Sequence, residues 1–194
     1  MFLLFLYILL TLTFDDKIND NFSNCVELNR EKLIDWFEIP PNTIQNITYF
    51  DISLKELTKI SNSTFTDLTQ IEVLSFTDNN LTQLEPYTFN GLINLKTLNF
   101  YNNEISYIHP LAFKENLTNL TDLYLNNNKI ASIDSSTFQS MPNLKILYLY
   151  SNEMSKIEPQ TFASLTNLKV LHLYSNQIEF IDDSAFSSLY NLQE

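Results

Sequence analysis

The chain has 194 residues, 44% of them apolar, with 15 Phe and 10 Tyr, which suits one domain with a sizeable core and excludes a disordered segment. Its 23 acidic against 11 basic residues give a formal charge of -12, which argues against nucleic acid as a partner because phosphate neutralisation needs surplus Lys and Arg. One glycine, Gly91, and one cysteine, Cys25, leave no material for phosphate loops, dinucleotide-binding turns, nucleophile elbows, an internal disulfide or a thiolate-rich metal site.

Residues 1–14, MFLLFLYILLTLTF, are almost wholly apolar and stop at Asp15-Asp16. The run is too short for a membrane helix, which needs about 20 residues, and it reads as the apolar region of a cleaved secretory signal. An unprocessed amphiphilic N-terminus is the alternative, since no Lys or Arg precedes the run. No later apolar stretch is long enough to be a membrane helix. Residues 15–46 lack any period but carry Val26, Leu28, Leu33, Ile34, Trp36, Phe37 and Ile39, and are expected to form an N-terminal cap.

From Ile47 the sequence repeats. Six units are expected at 47–70, 71–94, 95–119, 120–143, 144–167 and 168–191, with 192–194 opening a truncated seventh. The third unit holds one extra residue near Lys114-Glu115-Asn116, after Phe113. Each unit follows Leu-x-x-Leu-x-Leu-x-x-Asn-x-Leu, then a Phe and Leu-x-Asn. The alternation in x-Leu-x-Leu-x is that of a half-buried strand. Recurring Phe65, Phe89, Phe113, Phe138, Phe162 and Phe186 are expected to build a stacked spine. Asn79, Asn103, Asn128, Asn152 and Asn176 form a structural column, because a carboxamide both donates and accepts and so can satisfy neighbouring turns. The first unit has Lys55 at that place, so the column is expected to begin at Asn79.

This pattern resembles the leucine-rich repeat family in its extracellular 24-residue form, as in Toll-type receptor ectodomains, Slit-type guidance proteins and small leucine-rich proteoglycans. The resemblance implies an α/β solenoid, a curved right-handed coil with a parallel β-sheet on the concave face and irregular or short helical convex segments. Pro40-Pro41-Asn42-Thr43-Ile44 is similar to the segment closing N-terminal caps of that family. Those caps usually carry four cysteines; with Cys25 alone, no stapled cap forms within the chain, and Cys25 is either free or paired between chains. The sequence stops with its last repeat uncovered, which is read as a fragment of a longer molecule or as an end that self-associates through the open C-terminal repeat.

In that architecture the third, fifth and seventh residues of a unit face outward from the sheet. Six of the ten Tyr fall there, Tyr49, Tyr101, Tyr124, Tyr148, Tyr150 and Tyr174, and no Phe does. Strand propensity alone would admit Phe as well, so these places select an aromatic ring with a wet end, as binding faces do. The expected partner-binding set is Tyr101, Tyr124, Lys145, Tyr148, Tyr150, Lys169, His172 and Tyr174, where Tyr124, Tyr148 and His172 make one row and Tyr150 and Tyr174 another. Cross-strand stabilisation without any partner is the competing account. Sequons occur at Asn21, Asn46, Asn62, Asn80, Asn116 and Asn119; none follows Asn119, so glycans would leave the fourth and fifth repeats bare.

His172 and Asp122 stand two strands apart, about 10 Å, which is too far for a catalytic pair. No enzyme, cofactor or metal site is expected. The function expected is a protein-binding module of a secreted or cell-surface recognition protein, with a matrix structural protein and an intracellular scaffold as alternatives.

Overall fold

The structure, a computed structural model, describes residues 26–39, 43–114 and 117–194. The apolar run at 1–14, Asn21, Cys25, Pro40 to Asn42 and Asn116 lie outside the described residues.

Each alternating segment forms one short strand. Tyr49–Asp51, Val73–Ser75, Thr97–Asn99, Asp122–Tyr124, Ile146–Tyr148 and Val170–His172 lie side by side in a single parallel sheet, in chain order. The register never slips: Phe50, Leu74, Leu98, Leu123, Leu147 and Leu171 pair in succession. These middle residues point into the core, and the first five are fully buried. A parallel pair needs a crossover, and the remainder of each unit supplies it, so the chain winds as a parallel-sheet solenoid.

The crossovers are irregular with short helical pieces, as expected. Between strands, the described residues hold turns, a 3-10 segment at Leu117–Asn119 and short parallel pairs such as Gln83–Leu84 with Tyr107–Ile108 and Lys156–Ile157 with Phe180–Ile181. The α-helix Arg30–Trp36 belongs to the segment before the repeats. It is capped by the Asn29 side chain, which accepts from the Lys32 N–H at 2.9 Å. Just before it, Val26–Leu28 pairs with Leu57–Ile60, and Leu28, Leu33, Ile39 and Ile44 are buried on the first unit. At the other end Phe180, Ile181 and Tyr190 are exposed.

The asparagine column does what its chemistry predicts. Asn128 Oδ1 accepts from the Ile105 N–H of the preceding unit at 3.0 Å, while its Nδ2 donates to Phe100 O at 2.9 Å and to Leu125 O at 3.1 Å. Asn79, Asn103, Asn152 and Asn176 repeat this pattern, accepting from Leu57, Leu81, Ile130 and Met154. Lys55, at the equivalent place in the first unit, gives its own N–H to Asn79 Oδ1 at 3.1 Å. A second ladder runs through the Asn of Leu-x-Asn. Asn94, Asn119, Asn143, Asn167 and Asn191 each donate to a carbonyl one unit earlier, at 2.7–2.9 Å.

The asparagines do not by themselves explain how the chain turns with so little glycine. The residue before each ladder place takes a left-handed backbone: Leu54, Asp78, Asn102, Asn127, Ser151 and Ser175 have φ of 54–57°. Asn and Asp tolerate that region, whereas Leu54 and the two serines bear a cost of about 1–2 kcal/mol each. Gly91 is needed elsewhere. At φ 94° it lies against the turn of the preceding unit, and a Cβ there would stand 3.0 Å from Phe65 O.

Two phenylalanine columns fill the interior. Phe65, Phe89 and Phe113 stack at 6.3 and 5.6 Å, and Phe138, Phe162 and Phe186 at 6.3 and 5.9 Å. Among the described residues no ring contact joins Phe113 to Phe138, and the extra residue of the third unit follows Phe113 directly. A second column, unforeseen in the sequence, stacks Phe76 on Phe100 at 5.3 Å, with Leu125 and Leu149 at the same place further along.

Asn128→Ala should lower the urea-unfolding free energy by about 3 kcal/mol, since one N–H and two C=O groups lose a buried partner; a loss below about 1 kcal/mol would mean the column is dispensable. Ser151→Gly, by contrast, should raise stability by about 0.5–1 kcal/mol, because relief of the left-handed strain exceeds the entropy that glycine adds to the unfolded chain.

Candidate functional site

The outward residues of the sheet divide into two regions. In the first two units the face is hydroxyl-rich and acidic. Ser53 and Ser75 are 3.2 Å apart, Ser75 and Thr77 3.1 Å, Ser53 donates to the Asp51 carboxylate, and Asp78 accepts from Asn102 Nδ2 at 2.6 Å. From the third unit on, rings take over.

The two expected rows are present as ring stacks. Tyr148 lies face to face with His172, centroids 4.5 Å apart and planes 3° from parallel, and Tyr124 meets Tyr148 edge-on at 5.2 Å. Tyr150 stacks on Tyr174 at 4.5 Å and 9°. Contacts of 5.7 Å within single units join Tyr148 to Tyr150 and His172 to Tyr174, so five rings form one platform. Tyr174 remains 58% exposed, while the others cover one another's faces. Tyr101 belongs to the same side but stands apart from the platform, with Asn126 between it and Tyr150.

Asn126 departs from expectation. Its place in the unit faces outward, yet it is only 3% exposed. Together with Asn99, Tyr101, Tyr124, Tyr148 and Tyr150 it lines a depression of about 300 Å³. A second hollow, of about 580 Å³, lies on the outer side between the first two units and includes Lys59, Asn62 and Glu85.

Charge on this flank is set by local pairing. Lys96 is neutralised by Glu72 at 2.8 Å, which leaves Lys145 and Lys169, both exposed and without an ion pair among the described residues, as the free cations of this flank. His172 Nε2 lies 3.2 Å from Glu194 Oε1. Burial raises the phenol pKa of Tyr124, with the Asp122 carboxylate and Tyr148 adding to it. Burial also raises that of Tyr150, followed by Tyr174, Tyr101 and Tyr148. Both phenols therefore remain neutral hydrogen-bonding groups through the physiological range.

The family model described as leucine rich repeat matches residues 45–92 and 118–178, and that of leucine rich repeats in two copies matches 93–137. The chain belongs to the leucine-rich repeat family. Among solved structures it is similar to the TLR13–ssRNA13 complex, at 27% identity and a TM-score of 0.75, over 86% of this chain and 22% of that one. It shares its fold with the Toll–Spatzle complex from Drosophila, at 21% identity and a TM-score of 0.62, over 77% of this chain and 23% of the other. The chain thus spans less than a quarter of the length of these receptors. No curated protein matches it.

The repeat scaffold brings Tyr124, Lys145, Tyr148, Tyr150, Lys169, His172 and Tyr174 onto three consecutive strands and their exits. Tyr101 lies one strand further on. Sequence reasoning missed Asn99 and Asn126 as lining residues, although Asn126 is marked by standing where the flanking units have Tyr101 and Tyr150. Of the sequons, Asn46, Asn62, Asn80 and Asn119 are exposed, but Asn119 Nδ2 already donates to Ile93 O at 2.8 Å. Among the described residues no cluster of three His, Cys, Asp or Glu could hold a metal ion, and no helix is long and apolar enough to cross a membrane.

The raised phenols set an alkaline limit. A group whose folded pKa lies above its unfolded value stabilises fully below the unfolded value, near pH 10, and that contribution is lost as pH rises through the folded one. The urea midpoint should therefore fall as pH is raised past about 10, and Tyr124→Phe should flatten the decline; an identical slope in the variant would show that this phenol is not linked to folding.

Proposed function

We propose that the chain is a protein-binding module of a secreted or cell-surface recognition protein, and that a protein partner docks on the concave sheet face over the third to sixth repeats. The observation that carries this reading is the five-ring platform of Tyr124, Tyr148, Tyr150, His172 and Tyr174. Tyrosines in this setting offer contact area at low entropic cost and keep a polar end for the partner. Structural pairing alone would be served by Phe, and no Phe stands at the outward places of the sheet. Lys145 and Lys169 border the platform as the polar rim that such interfaces carry.

Likeness to receptors solved with a bound ligand supports a recognition role. The charge of -12 favours protein over RNA as the partner here. The N-terminal apolar run and the exposed sequons support an extracytoplasmic address and glycosylation at Asn46, Asn62 and Asn80.

The test is to pan the purified chain against a collection of secreted proteins and to repeat each positive with the Tyr148→Ser/Tyr174→Ser double variant. Two anchors at about 2 kcal/mol each predict an affinity loss of at least about 100-fold, with an unchanged circular dichroism spectrum. Partners that bind both forms equally would place recognition on another face.

A further inference from the structure

One row of the sheet face contains a gap. At the seventh place of successive units stand Tyr101, Asn126, Tyr150 and Tyr174, and the small carboxamide of Asn126 interrupts a run of rings. Neighbouring strands are ~4.8 Å apart, so the two rings flanking the gap arise from strands about 10 Å apart. A planar group between them needs two van der Waals separations of about 3.5–4.0 Å, and the gap is wide enough to hold one. Both flanking rings, Tyr101 and Tyr150, line the same depression.

The floor of this cup is chemically incomplete. Asn126 is 97% enclosed, yet its carboxamide makes no side-chain hydrogen bond with any described residue. The small exposure it keeps opens on the cup that it lines, where a ligand group can bond it, whereas every Asn of the structural column makes at least three bonds. Its neighbour Asn99 is held in place, Oδ1 accepting from the Tyr101 N–H at 2.8 Å. The remaining wall is the faces and edges of Tyr101, Tyr124, Tyr148 and Tyr150, and the Asp122 carboxylate acts on Tyr124 from the same strand.

We propose that the cup receives the side chain of an arginine presented by a protein partner. This rests on the reading of the sheet face as a protein-docking surface and names the chemistry at its centre. A guanidinium is planar, stacks on tyrosine, and carries forked N–H donors for the free carboxamide oxygen of Asn126. A lysine ammonium lacks the plane. An aromatic side chain would fill the slot but leave Asn126 unsatisfied, and a nucleotide would bring phosphate to a chain of charge -12. Lys145 and Lys169 sit at the second place of their units and are not part of the cup lining.

The experiment follows the Asn126 side-chain amide by nuclear magnetic resonance in the intact chain. The probes are N-acetyl-arginine methylamide, the corresponding lysine compound, p-cresol and AMP. The arginine probe should give a saturable shift with a dissociation constant on the order of 1 mM, as expected for a ligand of that size. The lysine compound should bind at least about five-fold more weakly. In Asn126→Leu and Asn126→Ser, ring resonances of Tyr124 and Tyr150 should lose their saturable response, whereas Tyr190→Ser, exposed and outside both the cup lining and the ring platform, should keep it. Absence of a saturable shift with the arginine probe, or equal or tighter binding of p-cresol or AMP, would overturn the proposal. Because this readout needs no partner, its failure alongside a partner lost on the double variant would remove the arginine assignment and leave the docking face standing.

Discussion

The carboxamide of the repeated asparagine is the interaction on which this architecture depends. A parallel sheet requires the chain to leave every strand on the same side, and each exit would bury backbone donors and acceptors without partners. Asn79, Asn103, Asn128, Asn152 and Asn176 close those exits by accepting from one unit and donating to two. Because each side chain reaches back into the preceding turn, the strands cannot slide, and the six-strand register contains no bulge. The left-handed residue beside each asparagine is the local cost of that closure.

That fixed register determines the surface as well as the core. A residue at the third, fifth or seventh place of a unit meets the same place in the next unit, so a functional face is written column by column. Tyr148 on His172 and Tyr150 on Tyr174 are such column neighbours. Substituting one outward residue alters the face with little effect on the interior, which is why a scaffold of this kind can present very different surfaces.

Most of the fold was legible in the sequence because period, strand alternation, the Asn column and the Phe spine are all set by spacing along the chain. The two ring rows followed from the same arithmetic. What spacing does not encode is the shape taken by side chains of unequal size. Asn126 occupies an outward place but is buried, and Lys96 loses its charge role to Glu72 across the strand. The second Asn ladder was visible as Leu-x-Asn, but its bonds depend on how the outer turns stack. The irregular outer segments were expected as well, since turns closed by such bonds need little helix.

The interruption between Phe113 and Phe138 bears on how the molecule holds together along its length. A repeat array is coupled only between nearest neighbours, and its cooperativity is set by its weakest junction. Where the third unit gains a residue, the aromatic spine is discontinuous, and the junction relies on aliphatic packing, the sheet bonds, Asn128, Asn143 and the Lys129–Glu104 ion pair. That junction divides the solenoid into two blocks of three units each. The hydroxyl-rich acidic surface belongs to the first block, and the five-ring platform lies entirely on the second. Tyr101 is contributed by the first block and Asn126 by the second, so the cup straddles the seam, and an occupant seated there would tie the two blocks together.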